Sequence, residues 1–124
     1  MRDIDECYKL LAMAIIQRAA EDYLLYGEST YYQGQRARIE NFFRSERFRH
    51  WTNGAIDPEY LIEGLRKKRR WNEVMRIRIA MRYGSMTKFA QTVRKDGTAD
   101  YVRHWLKSTQ YPPEMRIWEK LLCE

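Results

Sequence analysis

Met75-Arg76-Ile77-Arg78-Ile79-Ala80-Met81-Arg82 reads two ways. Its apolar and basic residues alternate as on a half-buried strand, yet Val74, Ile77, Ala80, Met81 and Gly84 also share one helical face. No other stretch of the chain has comparable strand character, and a lone strand has nothing to pair with. The segment is therefore expected to be helical, and the chain all-α.

The signals on either side agree. Upstream, Asp57 is an N-cap and Pro58 suits the first helical position, with Glu59 in the first turn. Tyr60, Leu61, Ile62 and Leu65 supply an apolar face, and Arg66-Lys67-Lys68-Arg69-Arg70 would close that helix with the positive charge its C-terminus prefers. Downstream, three short helices are expected, over 85–93, from Thr98 to about Lys107, and from Glu114 to about Leu122 after Pro112-Pro113.

At the N-terminus, Asp3 or Asp5 can cap a helix running to about Tyr26, with Gly27 as its stop. Tyr8, Leu11, Ala12, Ile15, Ile16, Ala19, Tyr23 and Tyr26 recur at three- and four-residue steps and form its apolar stripe. After the polar stretch 28–34, a second helix from about Gln35 to Arg44 would turn Ile39, Phe42 and Phe43 inward. Ser45 then caps a short turn carrying Phe48 and Trp51, ended by Asn53-Gly54. There is no internal repeat. The expected organisation is a helical N-terminal module over 1–70 and a second helical segment over 71–124, able to pack as one domain.

Composition narrows the function classes. The chain is 44% hydrophobic and 14% aromatic, enough to build a core and to exclude disorder as its main state. No apolar run approaches the roughly 18 residues of a membrane span, and no basic-then-apolar leader opens the sequence, so a soluble protein of the cytoplasm is expected. Cys7 and Cys123 are then expected as two free thiols. His50 and His104 are isolated, which leaves no metal site and no call for a cofactor.

Charge is segregated. Residues 1–30 carry net −3, 31–70 net +5 and 71–124 net +4, within a total of +6. A basic surplus confined to part of a chain is the electrostatic footprint of a nucleic-acid binder, though it also serves solubility.

The sharpest pattern lies in residues 76–122. Gly84-Ser85-x-Thr87-x-Phe89-Ala90 opens a short helix, Arg94-Lys95-Asp96-Gly97 forms a turn, Val102-x-x-Trp105-Leu106 lines a second helix, and Pro112-Pro113-Glu114 leads into a closing one. Small Ala90 suits a tight helix crossing. This succession resembles the Cro/repressor-type helix-turn-helix, with a turn about two residues longer than the usual pattern, which leaves the angle between the helices open. The resemblance implies that the second helix enters the major groove of duplex DNA. Burial of Val102, Trp105 and Leu106 would leave Asp100, Arg103 and His104 towards the bases. Arg103 suits bidentate reading of guanine, while Asp100 could accept from cytosine or orient Arg103. Arg76, Arg78, Arg82, Lys88, Arg94, Lys95 and Lys107 are the candidate phosphate contacts, and the run Arg66, Lys67, Lys68, Arg69, Arg70 is either a further phosphate contact or a solvated helix end.

In the N-terminal half, Ala14-Ile15-Ile16-Gln17-Arg18-Ala19-Ala20-Glu21-Asp22-Tyr23, Ile39-Glu40-x-Phe42-Phe43-x-Ser45-x-x-Phe48 and Asp57-x-x-Tyr60-Leu61-Ile62-x-x-Leu65-Arg66 resemble small uncharacterised phage and prophage proteins of Gram-positive bacteria. That resemblance implies an origin more than an activity, and a bacterial host cytoplasm as location. Phe42, Phe43, Phe48 and Trp51 interleave with Arg36, Arg38, Arg44, Arg47 and Arg49, which could stack single-stranded bases. Their helical spacing favours a core instead.

No Gly-rich phosphate loop, His-Glu-x-x-His or Gly-x-Ser-x-Gly motif is present, so an enzyme is the least supported class. The expectation is a phage or mobile-element accessory protein that binds DNA, for instance as a transcriptional regulator, with a homodimer matching two half-sites. The competing expectation, by likeness of architecture to anti-CRISPR proteins, is an inhibitor of a host defence nuclease complex acting by protein or ribonucleoprotein contact.

Overall fold

Local side-chain caps start most of the helices. Ser45 Oγ accepts the Phe48 N–H at 3.3 Å, Ser85 Oγ that of Lys88 at 3.2 Å, and Thr98 Oγ1 that of Tyr101 at 3.3 Å. Asp57 Oδ1 accepts the Glu59 N–H at 3.0 Å just ahead of Pro58. In a computed structural model of the chain, which describes residues 4–25 and 29–124, the helices are α1 (Ile4–Tyr23), α2 (Thr30–Phe43), α3 (Glu46–Trp51), α4 (Pro58–Tyr83), α5 (Met86–Val93), α6 (Ala99–Lys107) and α7 (Met115–Cys123). No strand occurs among the described residues, and the fold is all-α.

The chain forms two compact units, residues 1–66 and 67–124, and the division falls inside α4. In the first unit, Ala20, Tyr23, Leu24, Phe43, Phe48, Ile62 and Leu65 make the core. Phe43 and Phe48 are fully buried, with ring centroids 5.3 Å apart, so these two rings are packing, and Phe42 and Trp51 are half-buried beside them. Beside this core, Glu40 accepts from the Tyr23 hydroxyl and pairs with the Arg66 guanidinium, while Arg44 bonds both oxygens of Glu59 at 2.6 and 3.2 Å. The Arg44–Glu59 pair is too exposed to add much stability, whereas Glu40 is largely covered.

Several local expectations change in the first unit. α2 begins at Thr30, not near Gln35, and runs through Gly34 despite the cost of about 1 kcal/mol that glycine brings to a helix interior. The expected capping by Asp3, the last turn at Tyr26 and the Gly27 stop lie outside the described residues; Asp5 falls within α1. In the N-terminal half of the expected stripe Ala12 is buried, but Tyr8 is 69% and Leu11 58% exposed. Tyr60, expected inward, is 82% exposed.

In the second unit, Met75, Ile79, Phe89, Ala90, Val102, Leu106, Trp118 and Leu122 form the core. Trp118 stacks on Trp71 at 5.6 Å and meets Phe89 edge-on at 5.1 Å. Gly84, at φ +76, ends α4 in the left-handed region, its N–H reaching Ile79 O and Ala80 O. Gly97 lies so close to α5 that a Cβ there would sit 2.2 Å from the Ala90 carbonyl oxygen. Ala90 and Gly97 together therefore set the close approach of the turn to α5.

The largest correction concerns α4. The basic run does not end a helix, because nothing after Arg70 breaks it, and α4 continues without interruption to Tyr83. Nor is the apolar face that the spacing marks on α4 the buried one. Val74, Ile77, Ala80 and Met81 are exposed, Met81 to 80%, while Ile62, Leu65, Lys68, Asn72, Met75 and Ile79 form the buried row. Two polar residues in the middle of that row disguise it in the sequence.

Candidate nucleic-acid interface

The buried polar residues of α4 close the end of α6. The last carbonyls of a helix lack intrahelical donors and carry partial negative charge. Lys68 Nζ donates to Trp105 O at 2.9 Å and to Asn72 Oδ1 at 2.7 Å, and Asn72 Nδ2 donates to Leu106 O at 2.7 Å. The Lys68 ammonium also faces the rings of Trp71, at 5.0 Å, and Tyr111, at 5.4 Å. The same device recurs at α7: Arg78 Nη1 donates to Leu122 O at 3.0 Å, and Arg82 Nη1 donates to Leu121 O and Glu124 O at 2.8 and 2.9 Å. Arg78 and Arg82, expected at phosphates, thus have a structural partner in the C-terminus of α7. Lys68, only 1% exposed, cannot reach a phosphate.

Burial, with the nearby Arg76 charge as a lesser cause, lowers the Lys68 pKa from 10.5 to about 8. The unfolded chain then binds more protons than the folded one between about pH 8 and 10.5, so stability rises with pH across that window and the burial cost is fully present below it. Denaturant unfolding of the full chain from pH 7.5 to 9 is expected to gain about 1 kcal/mol, short of the range where tyrosines ionise appreciably. Lys68→Met should flatten this profile. A wild-type profile already flat over the same range would refute the assignment.

With α6 held from below, its outer face is set. Val102 and Leu106 are fully buried, Trp105 is half-buried, and Asp100, Arg103, His104 and Lys107 are exposed on one side. Arg103 Nη1 pairs with Asp100 Oδ1 at 3.0 Å, which pre-orients the guanidinium while leaving its other donors outward. Ahead of α6, Arg94 lies over the Tyr101 ring at 4.8 Å, and the Tyr101 hydroxyl donates to both oxygens of Glu114 at 2.7 and 2.6 Å. Lys88 on α5 and Lys95 in the turn are exposed, as is Arg94. The face of α6 and its flanking cations thus combine four exposed positive side chains besides Arg103.

The remaining expected phosphate contacts are scattered by α4. Arg76 is half-buried on the Lys68 side, Arg66 pairs with Glu40 in the first unit, and Arg69 pairs with Glu73 at 3.3 Å. Lys67 and Arg70 are exposed. The run therefore points all round the helix instead of forming one cluster. Sequence reasoning missed Asn72 and the role of Lys68 altogether. Their only signal is a spacing of four, which marks a shared face and not a buried one.

Among the described residues no group of His, Cys, Asp and Glu is placed to hold a metal ion, and no helix is long and apolar enough to cross a membrane. Cys7 and Cys123 are exposed free thiols. Comparison of the chain with protein-family models, with curated proteins and with solved structures gives no match.

Proposed function

We propose that the protein binds duplex DNA without enzymatic chemistry, inserting α6 into the major groove, and that it acts as a regulator encoded by a phage or mobile element. The observation that carries this reading is the outer face of α6. A helix anchored on its other side presents Asp100, Arg103, His104 and Lys107 together, with Lys88, Arg94 and Lys95 flanking it. In this reading the Asp100-oriented Arg103 addresses guanine, His104 lies beside it, and Lys88, Arg94, Lys95 and Lys107 meet phosphates.

Titration of the full chain against a mixed-sequence duplex over a salt series tests it. Four phosphate contacts predict a slope of log K on log salt of about −4, and absence of binding at about 50 mM salt removes the proposal. Against a site selected from a randomised duplex pool, Arg103→Ala should cost about 1–3 kcal/mol and relax preference at one position, with the salt slope little changed. A uniform loss on all sequences would instead make Arg103 a phosphate contact.

A second reading, inhibition of a host nuclease complex through protein contact, is favoured by one observation. Tyr8, Leu10, Leu11, Met13 and Ile15 are exposed along α1.

A further inference from the structure

α6 is only nine residues long, and the apolar part of what seats it is non-directional. Val102 and Leu106 are fully buried, but burial alone costs little when a short helix slides or turns slightly. Hydrogen bonds do not allow this, because they weaken steeply once distance and angle leave a narrow range. At the end of α6 three consecutive carbonyls each accept from a donor. His104 O takes the Ser108 N–H at 3.0 Å, Trp105 O takes Lys68 Nζ at 2.9 Å, and Leu106 O takes Asn72 Nδ2 at 2.7 Å. The first bond belongs to the helix itself, and the other two reach across from α4.

The two side chains also orient each other. An ammonium has only donors, so Lys68 requires the oxygen of the Asn72 amide, at 2.7 Å, and thereby turns the amide nitrogen to Leu106 O. Both are 1% exposed on the buried row of α4, where well-packed apolar residues would avoid the cost of desolvating a charge. Stability alone does not account for a charge and an amide at this place. A requirement for one fixed position of α6 does.

The outer face of α6 sets how closely that position must be held. Side chains lie about 6 Å from a helix axis, so a turn of about 10° displaces one by about 1 Å. A phosphate contact tolerates such a shift, whereas a bidentate contact from Arg103 to a base edge does not. Given the reading of α6 as the DNA-contacting helix, on which this rests, we propose that Lys68 and Asn72 are positioning residues. They hold α6 in the one seat from which its outer face discriminates between duplex sequences.

The test compares the full wild-type chain with Asn72→Leu and Lys68→Met, each of which removes a donor and keeps a side chain of similar shape. Both variants should still melt cooperatively. Amide relaxation-dispersion NMR should detect exchange in α6 of both variants, none in their α5 and α7, and none in the wild type. Binding is then measured to a duplex site selected with the wild-type chain and to a mixed-sequence duplex. The ratio of the two affinities should fall at least about tenfold, as for one lost bidentate base contact, while the mixed-sequence affinity and salt slope stay at their wild-type values. A purely structural role would instead lower both affinities together, by the fraction of chain unfolded. That result overturns the proposal, as do an unchanged ratio in a folded variant, α6 amides as quiet as in the wild type, or variants that do not fold. A wild-type chain that binds no duplex overturns the DNA reading and the claim about discrimination together, and is told apart from the other failures because it involves neither variant.

Discussion

Trp118→Ala is expected to destabilise residues 67–124 by about 3–5 kcal/mol, the cost of removing a large buried aromatic and leaving a cavity. The indole is fully buried, stacked on Trp71 and edge-on to Phe89, and it packs among residues supplied by α4, α5, α6 and α7. Its loss therefore loosens every helix of that unit at once. Its Nε1 makes no hydrogen bond, so Trp118→Phe should cost clearly less than the alanine change, having only packing to lose. Chemical denaturation of both variants, followed by amide exchange in α6 and α7, measures the difference. A loss below about 1 kcal/mol in the alanine variant would mean that the ring is not the centre of this core.

Phe43→Ala should have a similar effect on the other unit, again about 3–5 kcal/mol. Phe43 is fully buried against the rings of Phe42 and Phe48, in a core that also takes Tyr23, Leu24, Ile62 and Leu65. For a unit of this size the change corresponds to a lowering of the melting temperature by about 12 °C or more. The comparison that matters is with nucleic-acid binding. Under the packing account, Phe43→Ala lowers stability first, and any binding loss follows unfolding. A variant of wild-type stability that had lost only binding would return the interleaved aromatics and arginines to a base-stacking role.

How much of this was legible depends on the range of the interaction concerned. Ser45, Asp57-Pro58, Ser85 and Thr98 could be read as helix starts because a cap acts across two or three residues of the same segment. The outer face of α6 was legible for a similar reason: once Val102 and Leu106 are inward, helical geometry places Asp100, Arg103, His104 and Lys107 outward. Hydrophobic periodicity failed where the buried row is not hydrophobic. On α4 the row from Ile62 to Ile79 passes through Lys68 and Asn72, so the more regular apolar spacing of Val74, Ile77 and Met81 marked the exposed side. On α1 the stripe was real but longer than the partners available to cover it, which left the Tyr8 end open.

The charge count was equally mixed in meaning. A surplus concentrated after residue 30 suggested one basic surface. The folded chain divides that surplus: Lys68, Arg78 and Arg82 donate to the ends of α6 and α7, Arg66 and Arg44 pair with glutamates, and Lys88, Arg94, Lys95, Arg103 and Lys107 remain on or beside the face of α6.

By itself, the sequence determined that the protein is helical and where most of its helices begin, because periodicity and capping are properties of neighbouring residues. Only the tertiary structure decided which face of α4 is buried and which cations are structural. Those choices depend on acceptors more than 30 residues away, the unpaired carbonyls at the ends of α6 and α7, and on the desolvation that makes leaving them unmet costly.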